Sequence, residues 1–454
     1  MDHAHSREHA VVLGAGIAGL LTTRVLSETY HTVTVIERDQ LPAVGQHRKG
    51  VPHGRHLHGL HPRGREILEE LFPGLTAELM ACGAAVGDVL GNARLQLSGH
   101  TLAQADIGLP GVVCSRPFLE GMVRARLAKM QSVRLLDGCA VAGLTTTRDA
   151  ARVTGVRVAG PPAGTAPLAA DLVVDTTGRG SRTPKWLAEW GYPTPSAERV
   201  DIGLSYSTAV FRLRPGALGS DVLVMTAPTP RNLHAGWLAA VEGGRHIVTL
   251  SGLCGERPPT DPSGFRAFAQ TLVTPDISAA VEDAVLLESP VPFHFPASVR
   301  HRYERLRRFP GGLLVLGDAV CSFNPIYGQG MTVAATQAIV LRRLLAAGAP
   351  GPREYFRQIA PAIEAPWQIA VGGDLAFPQV PGHRSPRVRL LNAYLPRLHA
   401  AATHDPTLGE AFVRVLGLVD PPQSLLRPAV VRRVLQRQRP TAPLARPAHA
   451  SADH

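Results

Sequence analysis

Short apolar runs alternate with stretches of helical periodicity near the start of the chain. The β-branched run at 11–13 is typical of a buried parallel strand. The apolar residues that follow are spaced as on one face of a helix, namely Ile17, Leu20, Leu21 and Val25. A second strand, TVTVIE, ends at Glu37. The pattern predicts a β-α-β unit.

The order of strand, glycine-rich loop and helix recurs further along the chain. Apolar residues at 313–316 predict a buried strand, and a helix is predicted from about Met331. The loop between them contains three turn-forming residues, Pro325, Gly328 and Gly330. Another strand, in the stretch DLVVDTTGRGSR, is predicted to end at Asp175.

The middle of the chain has the alternation of half-buried strands. The stretches GLSYSTAVFRL, DVLVMTA, AGWLAAVE and RHIVTLSG predict an antiparallel sheet. After Leu345 the stretches PREYFRQIAPAIEAPWQIAVGGDLAF and EAFVRVLGLVDPPQSLLRPAVVRRVLQRQ predict helices. The second is basic and could contact a membrane or an acidic carrier, but a solvated helix packed on the body is favoured. The tail from Pro440 has the composition of a disordered segment.

Composition narrows the class of protein. The net charge of +11 comes almost entirely from arginine, and aromatic residues make up only 5% of the chain, so nucleic-acid binding is disfavoured. The sequence contains no apolar run of about 18 residues, so we expect no integral membrane association. The first ten residues have no apolar secretion signal, and the five scattered cysteines fit reduced thiols. We therefore expect a cytoplasmic protein.

The first β-α-β unit contains the spacing Gly14-x-Gly16-x-x-Gly19. In that spacing the first glycine allows a tight turn, the second lets a pyrophosphate approach the backbone, and the third permits close packing of helix and strand. An acidic residue about 20 positions on binds the ribose hydroxyls. The residues that we expect to contact a dinucleotide here are Gly14, Gly16, Ala18, Gly19, Glu37 and Arg38. This unit alone does not distinguish NAD from FAD.

The later strand-loop-helix unit favours a flavin. An aspartate at the end of a buried strand suits a ribityl hydroxyl, and a glycine-rich loop before a helix directs backbone N–H groups at the ligand. Such a helix end would stabilise the negative charge of reduced flavin. The residues that we expect to contact the flavin are Gly317, Asp318, Pro325, Gly328, Gly330 and Met331.

These elements, in this order, resemble the flavin-dependent monooxygenases of the para-hydroxybenzoate hydroxylase type. The stretches RKGVPHGRHLH, CSRPFLEGMVRARL, DLVVDTTGRGSR and VLGDAVCSFNPIYGQGMTVAA are most similar to polyether epoxidases and, more distantly, to squalene epoxidase. The resemblance implies an α/β fold with a Rossmann-like FAD-binding domain of the GR2 type, an antiparallel-sheet substrate domain, and non-covalent FAD. A helical C-terminal region follows.

The resemblance also implies domain limits and residue roles. We expect a discontinuous FAD-binding domain at 8–80, 111–180 and 300–345, a substrate domain at 81–110 and 181–299, a helical region at 346–440 and a disordered tail at 441–454. Asp318 would contact the ribityl chain, and Arg116 would lie near the FAD phosphates or the flavin edge. Asp175 would lie near the pyrophosphate, where this superfamily also admits a transient nicotinamide.

One position departs from the superfamily's pattern. Thr176 follows Asp175 where glycine is frequent, and no second glycine-rich unit suits a separate nicotinamide domain. Three routes of flavin reduction therefore stay open: transient NADPH or NADH, a partner flavin reductase, or no reduction at all.

Five histidines crowd the stretch HRKGVPHGRHLHGLH, at His47, His53, His56, His58 and His61. Histidine is a common metal ligand, but the neighbouring arginines and lysine repel a cation, and no acidic residue occurs between 40 and 65. His56 and His58 are predicted to share one face of a strand, without convergence of the other histidines. We expect no metal.

The resemblance places this segment beside the flavin. Its basic residues, Arg48 among them, would favour a phosphate or reduced flavin. His56 or His58 would donate a hydrogen bond to substrate or flavin, with simple packing as the open alternative.

Together these observations predict an FAD-dependent monooxygenase of secondary metabolism, of the kind found in antibiotic biosynthesis. It would epoxidise an alkene of a small apolar polyketide or terpenoid through a flavin C4a-hydroperoxide. The alternative is an FAD-bound cyclase that forms a decalin by non-redox [4+2] cycloaddition in a spirotetronate-type pathway. The WxWxIP element of halogenases is absent, and the sequence does not predict the oligomeric state.

Overall fold

The structure, a computed structural model, describes residues 7–160, 167–348 and 351–436. The strands are β1 His9–Leu13, β2 Thr32–Ile36, β3 Ala85–Asp88, β4 Ala93–Leu97, β5 His100–Thr101, β6 Pro110–Val113, β7 Val133–Leu136, β8 Ala140–Thr146, β9 Val153–Ala159, β10 Leu168–Ala169, β11 Leu172–Asp175, β12 Ala197–Arg212, β13 Leu223–Thr226, β14 His234–Val241, β15 Arg245–Gly252, β16 Val285–His301, β17 Leu313–Val315 and β18 Cys321–Ser322. The helices are α1 Ile17–Leu26, α2 Pro62–Leu71, α3 Leu75–Ala81, α4 Arg116–Leu127, α5 Thr183–Glu189, α6 Pro262–Ala269, α7 Asp276–Val281, α8 Gly330–Ala347, α9 Pro352–Asp374, α10 Pro386–Ala402, α11 Pro406–Leu416 and α12 Pro428–Leu435.

A five-stranded parallel sheet forms the first layer, in the order β17-β11-β1-β2-β7. Helices cover one face, and β8, β9 and α5 pack on the other, so its strands are buried and carry continuous apolar runs rather than alternation. Because parallel strands end at the same edge, the loops after β1, β2, β11 and β17 meet there. Those loops contain the predicted flavin residues, and all five strands lie within 8–80, 111–180 and 300–345.

An eight-stranded sheet forms the second layer, in the order β18-β16-β12-β15-β14-β13-β4-β5. It is antiparallel except that β13 and β4 run parallel. The four strands predicted for the middle of the chain are β12 to β15. One face packs on α6 and α7 through an apolar cluster that includes Phe211, Leu250 and Phe265. The predicted α/β fold class is confirmed.

Four helices, rather than the two predicted, lie within the described residues 351–436. The second predicted stretch is divided at prolines, which lack the N–H that a helix interior needs and are tolerated in the first turn, whereas α10 lies outside both predicted stretches. Pro386 and Pro428 each begin a helix, and a 3-10 turn at Pro422–Leu426 separates α11 from α12. Across the described ranges, no helix is long and apolar enough to cross a membrane. The predicted tail at 441–454 lies outside the described residues.

Candidate functional site

The N-terminus of α1 faces an open space bounded by charged side chains. The backbone turns sharply at Gly14, whose φ is 98° and whose N–H donates to the Ile36 carbonyl over 2.8 Å. A Cβ placed on Gly16 would lie 3.8 Å from Arg48 Nη2 and 4.0 Å from Arg116 Nη2. The start of α1 and two guanidinium groups therefore face the same space, an arrangement that fits a diphosphate.

Two carboxylates hold Arg48 in this space. Arg48 Nη1 lies 2.7 Å from Glu37 Oε2, and its Nη2 lies 3.5 Å from Glu120 Oε2. Glu37 also accepts from the Ala15 N–H over 2.8 Å, and Glu120 accepts from the Ile17 N–H over 3.2 Å. Sequence reasoning found Glu37 but missed Glu120. Its position four residues after Arg116 on α4 was the available signal, because such pairs lie on one helix face.

Arg116 joins this cluster to the histidine segment. Its Nε donates to Glu120 Oε1 over 2.9 Å, and its Nη1 donates to His58 Nε2 over 3.0 Å. A guanidinium group has no acceptor atom, so His58 Nε2 must be unprotonated. The proton is then on His58 Nδ1, which donates to the His56 carbonyl over 2.9 Å.

His58 is consequently a neutral imidazole with both nitrogens engaged. Burial, together with the neighbouring Arg116 charge, lowers its pKa to about 3. Because no N–H is left over, His58 does not supply the hydrogen bond to substrate or flavin that we expected of it. Its contacts assign it the role of fixing Arg116.

His56 lies in a different environment. Its Nδ1 is 2.7 Å from the Thr208 hydroxyl, which is 2.7 Å from the Thr249 hydroxyl, and the ring packs against Phe293. Burial, and then the charge of Arg55, lower its pKa to about 4. Among the described contacts Nε2 has no hydrogen bond, so donation from His56 stays a prediction.

The histidine segment is not the predicted strand. Pro52–Arg55 forms a 3-10 turn, and the ring of His53 lies 5.7 Å from that of His58. His61 donates from Nε2 to the Tyr327 carbonyl over 2.8 Å. Within the described ranges no group of three or more potential ligands is arranged to hold a metal ion.

Asp175 is fully buried at the end of β11. Its Oδ1 accepts from the N–H and hydroxyl of Thr177, and its Oδ2 accepts from the hydroxyls of Ser181 and Thr183. With four such bonds and no exposed surface, the carboxylate holds the loop 176–183. We expected Asp175 near the pyrophosphate as a cofactor-binding residue, and its engaged carboxylate leaves it a supporting role in that loop rather than a hydrogen bond to the cofactor.

Thr176, the departure from the superfamily's glycine, ties two strands together. Its hydroxyl donates to the Leu13 carbonyl over 2.7 Å, and its own carbonyl lies 3.2 Å from where a Cβ of Gly14 would be. The threonine side chain therefore joins the loop after β11 to the turn after β1. The predicted cofactor space stays open on the other side of that turn.

Asp318 lies at the same edge of the sheet. A Cβ on Gly317 would lie 2.8 Å from the Ala18 Cβ, so the second glycine motif packs directly on the first. Asp318 is surrounded by protein, which raises its pKa against the lowering effect of Arg116 and Arg179, yet its side chain is solvent-exposed. Both facts describe a carboxylate on the wall of an open cleft.

The loop that follows Asp318 offers hydrogen-bond donors and open space, and few protein groups bond to those donors or fill that space. A Cβ on Gly330 would lie 3.9 Å from Asp318 Oδ1. Gly328 has a φ of 66°, and α8 begins without an acidic residue or a side-chain cap in its first turn. Both polar side-chain atoms of Gln329 are buried without a hydrogen bond among the described residues. Together with the diphosphate space at α1, these features fit FAD.

The remaining predicted residues border the same region. Met331 is buried in the first turn of α8, whereas Arg38 is exposed immediately after Glu37. Arg179, which sequence reasoning missed, lies with its guanidinium carbon 4.6 Å from the centre of the Phe295 ring. No single-sequence feature distinguished it from the other arginines.

A cavity enclosing about 1090 Å³, the open space at its mouth included, adjoins the loop Pro325–Gly328. Its walls come from the eight-stranded sheet, the segment Leu57–Pro62 and the end of α11. The described residues that line it include no lysine or arginine. Its one carboxylate, Asp88, accepts four backbone N–H groups and so does not point a free charge into the cavity.

Strand register places one row of side chains along the cavity floor. Thr208 is opposite Thr249, Thr249 is opposite Trp237, Trp237 is opposite Met225, and Met225 is opposite Leu95. Side chains opposite one another across strands point to the same face. The polar end of the row lies beside His56, and the apolar end lies under α11.

The fold and site together are those of a flavoprotein, with a mostly apolar cavity beside the loop Pro325–Gly328. No family model matches the chain. It is 38% identical over 438 residues to Protein Rv3254 of Mycobacterium tuberculosis, covering 91% of this chain and 90% of that protein. It is 25% identical over 352 residues to squalene monooxygenase of Rattus norvegicus, covering 74% of this chain and 54% of that enzyme.

The solved structure of a flavoprotein/dehydrogenase from Cytophaga hutchinsonii matches with a TM-score of 0.66 at 16% identity, over 94% of this chain and 96% of that one. The chain belongs to the FAD-dependent monooxygenases of the para-hydroxybenzoate hydroxylase type. Solved structures with this fold include a hydroxylase and halogenases, so the fold alone does not choose the reaction.

Proposed function

We propose that this monooxygenase epoxidises an alkene of an apolar polyketide or terpenoid in cytoplasmic secondary metabolism. The observation that carries the proposal is the cavity beside Pro325–Gly328. Its lining is mostly apolar and includes no lysine or arginine among the described residues. A substrate bearing a carboxylate or phosphate would find no cationic side chain there to compensate its desolvation.

The residues at the sheet edge would hold FAD. The α1 N-terminus, Arg48 and Arg116 would bind the diphosphate, Glu37 the ribose, and Asp318 the ribityl chain. The N-terminus of α8 would stabilise negative charge on the reduced ring. Bound FAD supplies the activation of O2 and the transfer of one oxygen atom.

The chain itself contributes placement and exclusion of water. Trp237, Met225 and Leu95 would bury the hydrocarbon part of the substrate and keep water away from the reacting atoms. The other end of the row, at Thr249 and Thr208 beside His56, would accommodate a more polar part of the substrate. An alkene has no acidic proton to remove, which agrees with a cavity lining that shows no acid–base pair.

An external donor must supply two electrons for each turnover, so that the second oxygen atom leaves as water. NADPH, NADH or a flavin reductase are the candidate donors. Asp175, with its carboxylate fully engaged, supports the loop on which a transient nicotinamide would lie rather than binding the nicotinamide itself.

The test supplies chemically reduced holoenzyme with 18O2 and a panel of apolar polyenes, squalene among them. An epoxide product that carries one labelled oxygen atom supports the proposal. Labelled hydroxylated product without epoxide would retain the monooxygenase but reject epoxidation. An unlabelled isomer formed equally well under nitrogen by the oxidised enzyme would reject oxygenation and support the [4+2] cyclase instead.

A further inference from the structure

Asp374, the last residue of α9, is a fully buried carboxyl group outside the predicted site. Its Oδ1 accepts from Asn324 Nδ2 over 2.7 Å and from the Tyr327 hydroxyl over 3.2 Å. Its Oδ2 is buried without any hydrogen bond in the described part of the chain. A buried carboxylate oxygen without a partner is costly, so its retention calls for an explanation.

Both donors belong to the loop that connects β18 to α8. Asn324 also braces this loop internally, because its Oδ1 accepts from the Ile326 N–H over 3.1 Å. The Tyr327 carbonyl accepts from His61 on the opposite side. Pro325, Ile326 and Tyr327 all line the cavity. Asp374 thus holds, from the C-terminal helical region, the loop that separates the cavity from the predicted flavin position.

We propose that Asp374 is a positioning residue, whose carboxyl group fixes the loop Asn324–Gly328 against the flavin through Asn324 and Tyr327. The inference rests on the proposed function, since it assumes FAD beside that loop. It adds a residue from α9, which neither the dinucleotide motif nor the glycine-rich loop contains.

The same contacts make this device sensitive to pH. Burial raises the pKa of Asp374 to about 7, against the lowering effect of its two hydrogen bonds. The titratable groups that face it are Tyr206 on β12, Cys254 after β15, and Tyr327 itself, and all three have raised pKa values. These groups are neutral at pH 7, so Asp374 changes charge near neutrality while its neighbours do not.

The loop therefore has two hydrogen-bonding states. As a carboxylate, Asp374 accepts from both Asn324 and Tyr327. As a carboxylic acid, it accepts more weakly and acquires a proton that must find an acceptor nearby. The hold on the loop is tighter above neutral pH than below it.

The experiment uses purified full-length protein saturated with FAD, and follows its visible absorption spectrum and FAD dissociation constant between pH 5.5 and 8.5. We expect the wild-type spectrum to titrate with a midpoint near pH 7. Asp374→Asn keeps the side-chain shape but not the titration, so its spectrum should not change with pH. Tyr327→Phe removes one donor to the carboxylate, so its midpoint should shift to higher pH.

Asp405→Asn is the matched control, because Asp405 is a buried carboxylate of the same helical region that caps α11 and pairs with Arg433. It should behave as wild type. A wild-type spectrum that does not titrate, or an Asp374→Asn spectrum that still does, overturns the inference. If Asp374→Asn does not fold, an unshifted midpoint in Tyr327→Phe overturns it. Wild-type protein that binds no FAD would instead reject the proposed function.

Discussion

Arg116 donates a hydrogen bond to His58 over 3.0 Å, and this contact sets the protonation of the imidazole. Because arginine has only donors, His58 accepts through Nε2 and carries its proton on Nδ1. A histidine beside the predicted diphosphate position is therefore a neutral support for a cationic ligand of that diphosphate. The basic character of the segment comes from its arginines and Lys49.

Replacing His58 by Ala should weaken FAD binding about tenfold, since hydrogen bonds to charged groups contribute ~1.5–3 kcal/mol and Arg116 keeps its pairing with Glu120. Titration of apoprotein with FAD, followed by fluorescence, measures the change. His404→Ala, at an exposed helix end, serves as the control. Equal dissociation constants for His58→Ala and wild type would remove His58 from the support of the site.

The two glycines at α1 should respond differently to alanine. Gly16 has φ −77° and ordinary van der Waals space around a Cβ, so Gly16→Ala should fold normally but bind FAD at least tenfold more weakly, because the methyl group occupies the diphosphate space. At Gly19 a Cβ would lie 1.9 Å from the Gly14 carbonyl oxygen, so Gly19→Ala should lower the melting temperature of the apoprotein. Thermal unfolding without FAD, together with FAD titration, separates the effects. Unaltered FAD affinity in Gly16→Ala would contradict the assignment.

Asp318→Ala should weaken FAD binding roughly ten- to a hundred-fold, because it removes a charge-assisted hydrogen bond to a ribityl hydroxyl. The variant should fold, since Asp318 is exposed and its carboxylate makes no described hydrogen bond. Isothermal titration of apoprotein with FAD gives the affinity. Asp137→Ala is not a suitable control because Asp137 accepts from the Leu41 N–H. Asp283→Ala, at an exposed position, is the preferable control. An Asp318→Ala variant whose FAD affinity equals that of Asp283→Ala would contradict the role of Asp318.

The pH dependence of the free energy of unfolding should reveal the raised pKa of Asp374. Its pKa is about 7 in the folded protein and near 3.9 in the unfolded chain, so between these values the folded state binds a proton that the unfolded state does not. Its contribution to the free energy of unfolding is fully present below about pH 4 and is lost as pH rises to about 7, at up to ~1.4 kcal/mol per pH unit.

The Asp374→Asn variant has no carboxyl group at this position, so it lacks the fall in the free energy of unfolding that wild type shows as pH rises to about 7. The free energy of unfolding of the variant minus that of wild type should therefore increase from pH 5 to pH 7 and level off above it. Urea unfolding of both apoproteins at pH 5, 6, 7 and 8 measures the difference. A difference that does not vary with pH would show that Asp374 has an ordinary pKa.

Filling the cavity should impair the reaction without affecting the cofactor. Met225→Trp enlarges a side chain in the middle of the cavity floor, so it should raise KM for a large apolar substrate several-fold while FAD content and flavin reduction stay unchanged. Met225→Leu conserves volume and is the control. Unimpaired turnover in Met225→Trp would place the substrate elsewhere.

Local pattern was sufficient for the elements that are built from consecutive residues. The β-α-β unit with Gly14, Gly16 and Gly19, the strand before Gly317 and the strands β12 to β15 follow from apolar spacing and glycine chemistry alone. The C-terminal helices were predicted less well, because α10 lies outside both predicted stretches and the second stretch is divided at prolines that apolar periodicity does not register. The substrate-domain strand β4 comes from a segment whose pairing with β13 is a long-range contact.

By itself, the sequence determined the flavin-binding fold, because the spacing of glycines and strand ends is a local property that a parallel sheet then gathers at one edge. Only the tertiary structure decided which side chains face one another across that edge. Glu120 meets Arg48, Arg116 meets His58, and Asp374 meets Tyr327 through contacts between elements far apart in the chain. The same reason explains Asp175, which the sequence predicted as a cofactor-binding residue. In the folded chain its carboxylate is fully engaged by its own loop.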